Sequence, residues 1–243
     1  MSPVPFKVPY ERPIKFTPMW GEWDEAAANA LLAKKDEYLD WSDFRNFLEY
    51  DHIGRYEEVV YFLPLAIEYA IQNREAVIEF ESKMIGFVDL HRDRLVSDCL
   101  WDLCVHSLAQ CLTTWTDTFA VCEWKEPDRG THGWYARDSD VVEQMLFALM
   151  HTQWLRQVLV DFLSGLARQS DNATKSAWLL ECLAEIKESI HSGVLTMEEV
   201  QSLELLAGLV PKETVAKHVE LVKRSSIFPD NLEFGNYRLA WLQ

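Results

Sequence analysis

Along most of the chain, apolar residues recur at three-to-four spacing, the period of a helix that buries one face. The clearest run holds Trp101, Cys104, Val105, Leu108, Cys111, Leu112, Trp115 and Phe119, with Asp102, His106, Gln110, Thr113 and Asp117 largely opposite. Residues 23–35 read as an Ala-rich helix and residues 41–50 as a short one, with Asp40 placed to cap it. Residues 56–72 differ, because from Val59 to Ile67 they are apolar on nearly every side, the mark of a helix in the middle of a fold. Pro64 lies inside that run. It predicts either a kink or one helix ending near Leu63 and another carrying Pro64 in its first turn.

The pattern continues through residues 74–91, an amphipathic stretch with Glu79 and Lys83 four residues apart. Asp140 and Glu143 resemble a capping-box pair opening a long helix to about Gln169. That helix is apolar around most of its circumference from Val142 through Leu163, a second candidate for the centre. Later helices are expected at 173–191, 196–206 and 212–225. Gly193 would stop the first, Thr196 with Glu199 would box the second, and Pro211 would start the third. The aromatic tail from Ile227 to Gln243 (Phe228, Phe234, Tyr237, Trp241) is expected to pack back on the body.

Composition agrees with this pattern. Nine glycines in 243 residues are few, and with little turn punctuation long helices are favoured over many short strands. Five of the nine prolines fall in residues 1–20, among Phe6, Tyr10, Phe16 and Trp20. Proline at that density predicts an extended arm, lying either in a groove of its own domain or on a partner. No signature recurs at the 30–45-residue periods of helical solenoids. The expected fold is all-α: an extended arm over residues 1–20, then a single helical domain over 21–243. That domain would be a compact multi-helix bundle or an irregular helix-pair stack of about eight to nine helices.

The first residues carry prolines and charges where a secretory leader needs an apolar stretch, and the run from Val59 to Ile67 falls far short of the roughly 20 residues of a bilayer span. Five cysteines without framework spacing point to reduced thiols. These features together predict a soluble, cytoplasmic protein.

Charge changes the picture most. The formal net charge is −16, and residues 36–81 alone contribute −9 of it. A field of that sign attracts basic partners and repels nucleic acid and anionic membranes. Asp36, Glu37, Asp40, Asp43, Glu49, Asp51, Glu57 and Glu58 crowd around only Arg45 and Arg55, bracketing a turn between Tyr50 and Tyr56. The longest expected break between helices, EWKEPDRGTHGWYARD at 123–138, adds Trp124, Trp134 and Tyr135 beside Arg129 and Arg137, residue types that dominate binding hot spots. The eight carboxylates with Trp124, Trp134 and Tyr135 form the candidate partner-binding set.

Candidate chemistry is thinner. Glu49/His52 and Glu188/His191 have the Glu-x-x-His spacing of di-iron helical bundles, but both histidines fall at helix C-termini beside glycines rather than on an apolar face. Cys99, Cys104, His106 and Cys111 sit around one helix and do not converge as zinc ligands would. No nucleophile elbow, H-E-x-x-H, G-x-G-x-x-G or Walker loop occurs. Asp102 and His106 suit a surface pair, and His151, within the long apolar helix beside Trp154, suits a core histidine. No catalytic residue, metal ligand or cofactor is therefore assigned.

The function that fits is a non-enzymatic acidic module for a basic protein partner. Its most concrete form is an inhibitor of the bacterial immunity or antitoxin type, neutralising a cationic toxin or nuclease. A helical-repeat scaffold presenting a groove to a peptide is the alternative. A DNA mimic and a di-iron carboxylate enzyme stand further off.

Overall fold

The computed structural model describes residues 7–17, 25–44, 54–73, 83–126, 131–137 and 139–227. The chain divides into two compact units, Met1–Trp115 and Thr116–Gln243.

In the first unit, helix α1 spans Glu25–Ala33, buries Ala28 and Leu31, and is followed by a 3-10 turn at Asp36–Tyr38. Residues 41–44 form a helical turn behind Asp40, whose carboxylate accepts from the Ser42 amide and hydroxyl, the expected cap. The all-round apolar segment resolves into α2 (Tyr56–Val59), a 3-10 turn (Val60–Phe62) and α3 (Leu63–Gln72), with Pro64 in the first turn of α3. Proline lacks the N–H that such a position leaves free, so the chain tightens and restarts there rather than kinking mid-helix. Val60, Phe62, Leu63, Ala66 and Ala70 are wholly buried, as a central segment requires.

Residues 83–90 form α4, followed by α5 (Arg92–Ser97) and α6 (Trp101–Trp115); α6 packs on both α3 and α5. Between α5 and α6 the chain reverses through Cys99 at φ 59°. Its amide donates to the Val96 carbonyl, and the Leu100 amide donates to that of Leu95. That pattern is a Schellman stop, with cysteine in the left-handed position that usually falls to glycine.

In the second unit the segment after α6 leads into a two-stranded antiparallel ribbon, β1 (Val121–Glu126) and β2 (Thr131–Ala136). The helices that follow are α7 (Ser139–His151), α8 (Arg156–Ala167), α9 (Ala173–His191), α10 (Met197–Gly208) and α11 (Lys212–Arg224). The long helix expected over 140–169 is thus two helices. Its apolar circumference arises because each half buries its own face: Val142, Met145 and Leu149 on α7, and Leu159, Leu163 and Leu166 on α8. Arg156 fastens the corner by donating from Nε and an Nη to the Met150 carbonyl at the end of α7.

The centre of this unit is α9, which packs against α7, α8, α10 and α11. Every residue from Lys175 to Ile186 is buried. Gly193 at φ +70° follows α9, and the Thr196–Glu199 box opens α10, both as expected. Residues 228–243, most of the aromatic tail, lie outside the described residues. No helix among the described residues is long and apolar enough to cross a membrane.

Candidate functional site

The carboxylates of the acidic segment are largely turned to a task inside the first unit. Residues 7–17 of the arm lie against that unit, and acidic side chains take up their polar groups. Arg12 Nε donates to Asp36 Oδ1 at 2.8 Å, and its Nη1 donates to the Leu32 carbonyl. Tyr61 donates its hydroxyl to Asp36 Oδ2 at 2.6 Å. Glu58 accepts from the Thr17 amide (2.8 Å), the Thr17 hydroxyl (2.6 Å) and the Arg55 amide (2.9 Å), so it caps α2 and clasps the arm at once. Between Thr17 and Glu58, Phe16 is buried against Phe62. Gly54 is needed for that approach, since a Cβ there would stand 2.6 Å from the Phe16 ring and 2.8 Å from Glu58 Oε2.

The remaining members of the set divide. Asp43 is buried and accepts from Lys34 Nζ and the Asp40 amide. Glu57 pairs with Arg94, whose guanidinium lies 4.2 Å from the Tyr56 ring centroid. Tyr56 and Tyr10 both donate to Asp98 Oδ2, at 3.0 and 2.7 Å, a further tie to the arm. Glu37 and Asp40 stay exposed, with Lys35 3.9 Å and Lys34 3.4 Å away respectively. Glu49 and Asp51 lie outside the described residues.

These contacts shift protonation. The Ser42 hydroxyl holds Asp40 below its usual value. Burial pushes Glu58 and Glu57 up, but hydrogen bonds outweigh it and both end lowered. For Glu58 the bonds come from Thr17 and Arg55; for Glu57 they come from its own helix turn and Arg94. Burial, then the Asp36 bond, raise Tyr61 to about 12. The lowered acids therefore add stability that is present above their usual values and lost as pH falls through the lowered ones. Tyr61 adds stability that is complete below 10.0 and lost as pH rises toward 12. The urea midpoint of the first unit should accordingly stay level near neutrality and drop below the usual glutamate value of 4.5. Glu58→Gln should make that acid limb shallower; an unchanged slope would show that Glu58 takes no part in it.

The aromatic segment at 123–138, expected as a loop, contains most of the β ribbon. Register pairs Trp124 with Gly133, Trp134 with Glu123 and Tyr135 with Cys122. The overlooked signal was Pro127-Asp128-Arg129-Gly130, turn residues set between two aromatic runs.

Other sequence candidates disperse. Cys104, Cys111 and Cys182 are buried and Cys99 is exposed, with burial pushing the Cys104 thiol up to about 12. Asp102 and His106 are exposed on α6. His151, expected in the core, is half exposed because α7 ends there. It stacks on Phe147 and places Nε2 3.4 Å from Glu199 Oε1. His191 ends α9 with Nδ1 2.7 Å from the Lys187 carbonyl, Glu188 is exposed, and Glu49/His52 lies outside the described residues. Among the described residues, no three His, Cys, Asp or Glu side chains gather as a group able to hold a metal.

A Ser–His contact that sequence spacing could not reveal joins Ser176 and His218. The Ala167 carbonyl can only accept, so His218 Nε2 carries the proton it donates there at 3.1 Å, and Nδ1 accepts from the Ser176 hydroxyl at 2.7 Å. Both side chains are fully buried, which makes the pair a strut between α9 and α11.

A further grouping was also missed. Glu143 and Phe147 of α7 meet Glu185, Glu188 and Ser189 of α9 and the turn residues Ser192, Val194 and Leu195 around a cleft of about 330 Å³. Its sequence trace is the 181/185/188 spacing of glutamates along α9.

These features define an acidic, all-α protein of two units whose described surface offers charge and clefts. No protein-family model, curated protein or solved structure matches the chain.

Proposed function

We propose that this protein is an acidic binding module whose partner is a basic protein, acting as an inhibitor of the immunity or antitoxin type that occupies a cationic surface of a toxin or nuclease. The observation that carries the reading is the net charge of −16 on a folded helical chain. Fields of that size steer oppositely charged proteins together and keep polyanions away. The hydrogen bonds described above lower Asp40, Glu57 and Glu58, which carries their ionisation further into the acid range. Much of the acidic segment braces the arm, which leaves Glu37, Asp40 and Glu57 as its members most open to a partner.

The helical-repeat scaffold is less well supported. In a repeat stack each unit touches only its neighbours, whereas α9 is a hub for four other helices.

The test is capture of partners from the native lysate by the tagged protein, followed by association kinetics with the purified partner. Between roughly 50 and 500 mM salt the association rate should fall about tenfold or more. A partner bound equally fast at both ends of that range, or one without net positive charge, would remove the basis of the reading.

A further inference from the structure

Helix α10 is apolar on both of its sides. It packs on α9 with Leu203 and Leu206 buried, and Val210 is buried just past its end. On a surface helix the side turned away from the core ordinarily carries the polar and charged residues. Here that side holds Met197, 79 % exposed, and Leu205, 75 % exposed, two turns apart, with Leu209 exposed at the C-terminal cap. Val194 is exposed in the turn that leads into the helix. Among the described residues of the second unit, four of the five exposed large apolar side chains therefore fall within residues 194–209. Single exposed apolar residues are ordinary, but a concentration on one helix face marks an interaction surface.

The charges on this face are of one sign. Glu198 follows Met197 and Glu204 precedes Leu205, so helical geometry sets the two carboxylates on opposite flanks of the stripe. Both are exposed, and neither makes a hydrogen bond or ion pair among the described residues. No Lys, Arg or His occurs from Met197 to Gly208.

We propose that the outward face of α10 is the docking site for an amphipathic helix of the basic partner, an inference that rests on the binding-module reading. A helix with apolar residues one and two turns apart can lay them along Met197, Leu205 and Leu209, a stripe of roughly 18 Å at 1.5 Å per residue. Its flanking Lys or Arg side chains then meet Glu198 and Glu204. A second copy of this chain is a poor occupant, because pairing two such faces sets glutamate against glutamate with no cation between them. An anionic lipid surface is repelled for the same reason.

The probe is a fluorescein-labelled helical peptide of about four turns, with one leucine stripe flanked by lysines, read by anisotropy against the full-length protein. A peptide of identical composition with its leucines spread around the helix is the control. The striped peptide should bind about tenfold more tightly, and Met197→Gln/Leu205→Gln should remove that advantage. Both side chains are exposed and glutamine is a good helix former, so this variant keeps its fold. Glu198→Gln/Glu204→Gln should weaken the striped peptide severalfold and flatten its salt dependence. Leu90→Gln/Val96→Gln removes exposed apolar side chains from the first unit instead and should leave binding unchanged. Equal weakening by the two apolar double variants, or equal affinity of the native protein for the two peptides, overturns the docking face. Self-association of the native protein that Met197→Gln/Leu205→Gln abolishes also overturns it, because the face then belongs to a second copy. None of these results removes the binding-module reading, which falls only to the salt-insensitive or non-basic partner described above.

Discussion

Phe16→Ala is expected to destabilise the first unit by about 3 kcal/mol, the low end of the usual range for emptying a buried phenylalanine site. The effect should exceed that of most surface changes because Phe16 is the apolar anchor of the arm. Among the described residues of the arm, polar ties join Arg12 to Asp36, Thr17 to Glu58 and Tyr10 to Asp98, and the Tyr10 ring also packs edge-on against Tyr56. Such bonds each contribute on the order of 1 kcal/mol net. With the ring gone, Thr17 and Glu58 face water and lose most of the advantage of their contact. Trypsin cleavage after Arg12 and Lys15 should then accelerate roughly a hundredfold, since cleavage follows the open population. Gly54→Ala reaches the same contact from the other side by pushing a Cβ toward the Phe16 ring and Glu58, and it should also speed cleavage. A trypsin rate unchanged in both variants would mean that the ring does not hold the arm down.

The helical period and its caps carried most of the fold into view. α9 and the Thr196 box could be read directly, and Pro64 could be read as either a kink or a restart, because each rests on contacts within four residues in sequence. Three features could not be read this way, for distinct reasons. The ribbon is held by cross-strand pairing, which leaves only a faint local trace over six-residue strands. α7 and α8 looked like one helix because two one-sided apolar faces, laid end to end, imitate a helix buried on all sides. α9 did not look central because Lys175, Ser176, Glu181 and Glu185 interrupt its apolar run, and their burial depends on partners elsewhere, such as His218 and Asp117.

The candidate site was less legible for a related reason. Sequence shows where carboxylates are dense but not which donors meet them. Arg12 and Tyr61 reach Asp36 across 24 and 25 residues, and Thr17 reaches Glu58 across 41. Density in the sequence therefore marked a clasp, while the glutamates at 143, 185 and 188 converge only because α7 and α9 pack together.

Lys175 offers the other large expected effect. It is 5 % exposed, yet its ammonium donates to Thr116 Oγ1 and Asp117 Oδ1, both at 2.7 Å. With Trp178, whose indole N–H donates to the Thr118 carbonyl, and Phe119 packed edge-on against that indole, it pins residues 116–119 to α9 just before β1 begins. Lys175→Ala removes a buried four-carbon stem together with the charge, and a loss of about 3 kcal/mol is expected in urea unfolding of the second unit. Lys175→Met keeps the stem and drops the charge. Asp117 is mostly exposed and rehydrates when its partner is gone, so the ion pair itself is worth little, and Met should restore all but about 1 kcal/mol. That ordering assigns the anchoring to packing, with the ammonium serving to satisfy Thr116 and Asp117. If methionine proved as damaging as alanine, the ammonium would be the anchor instead, and burial of a charge at this point would be a structural requirement of the second unit.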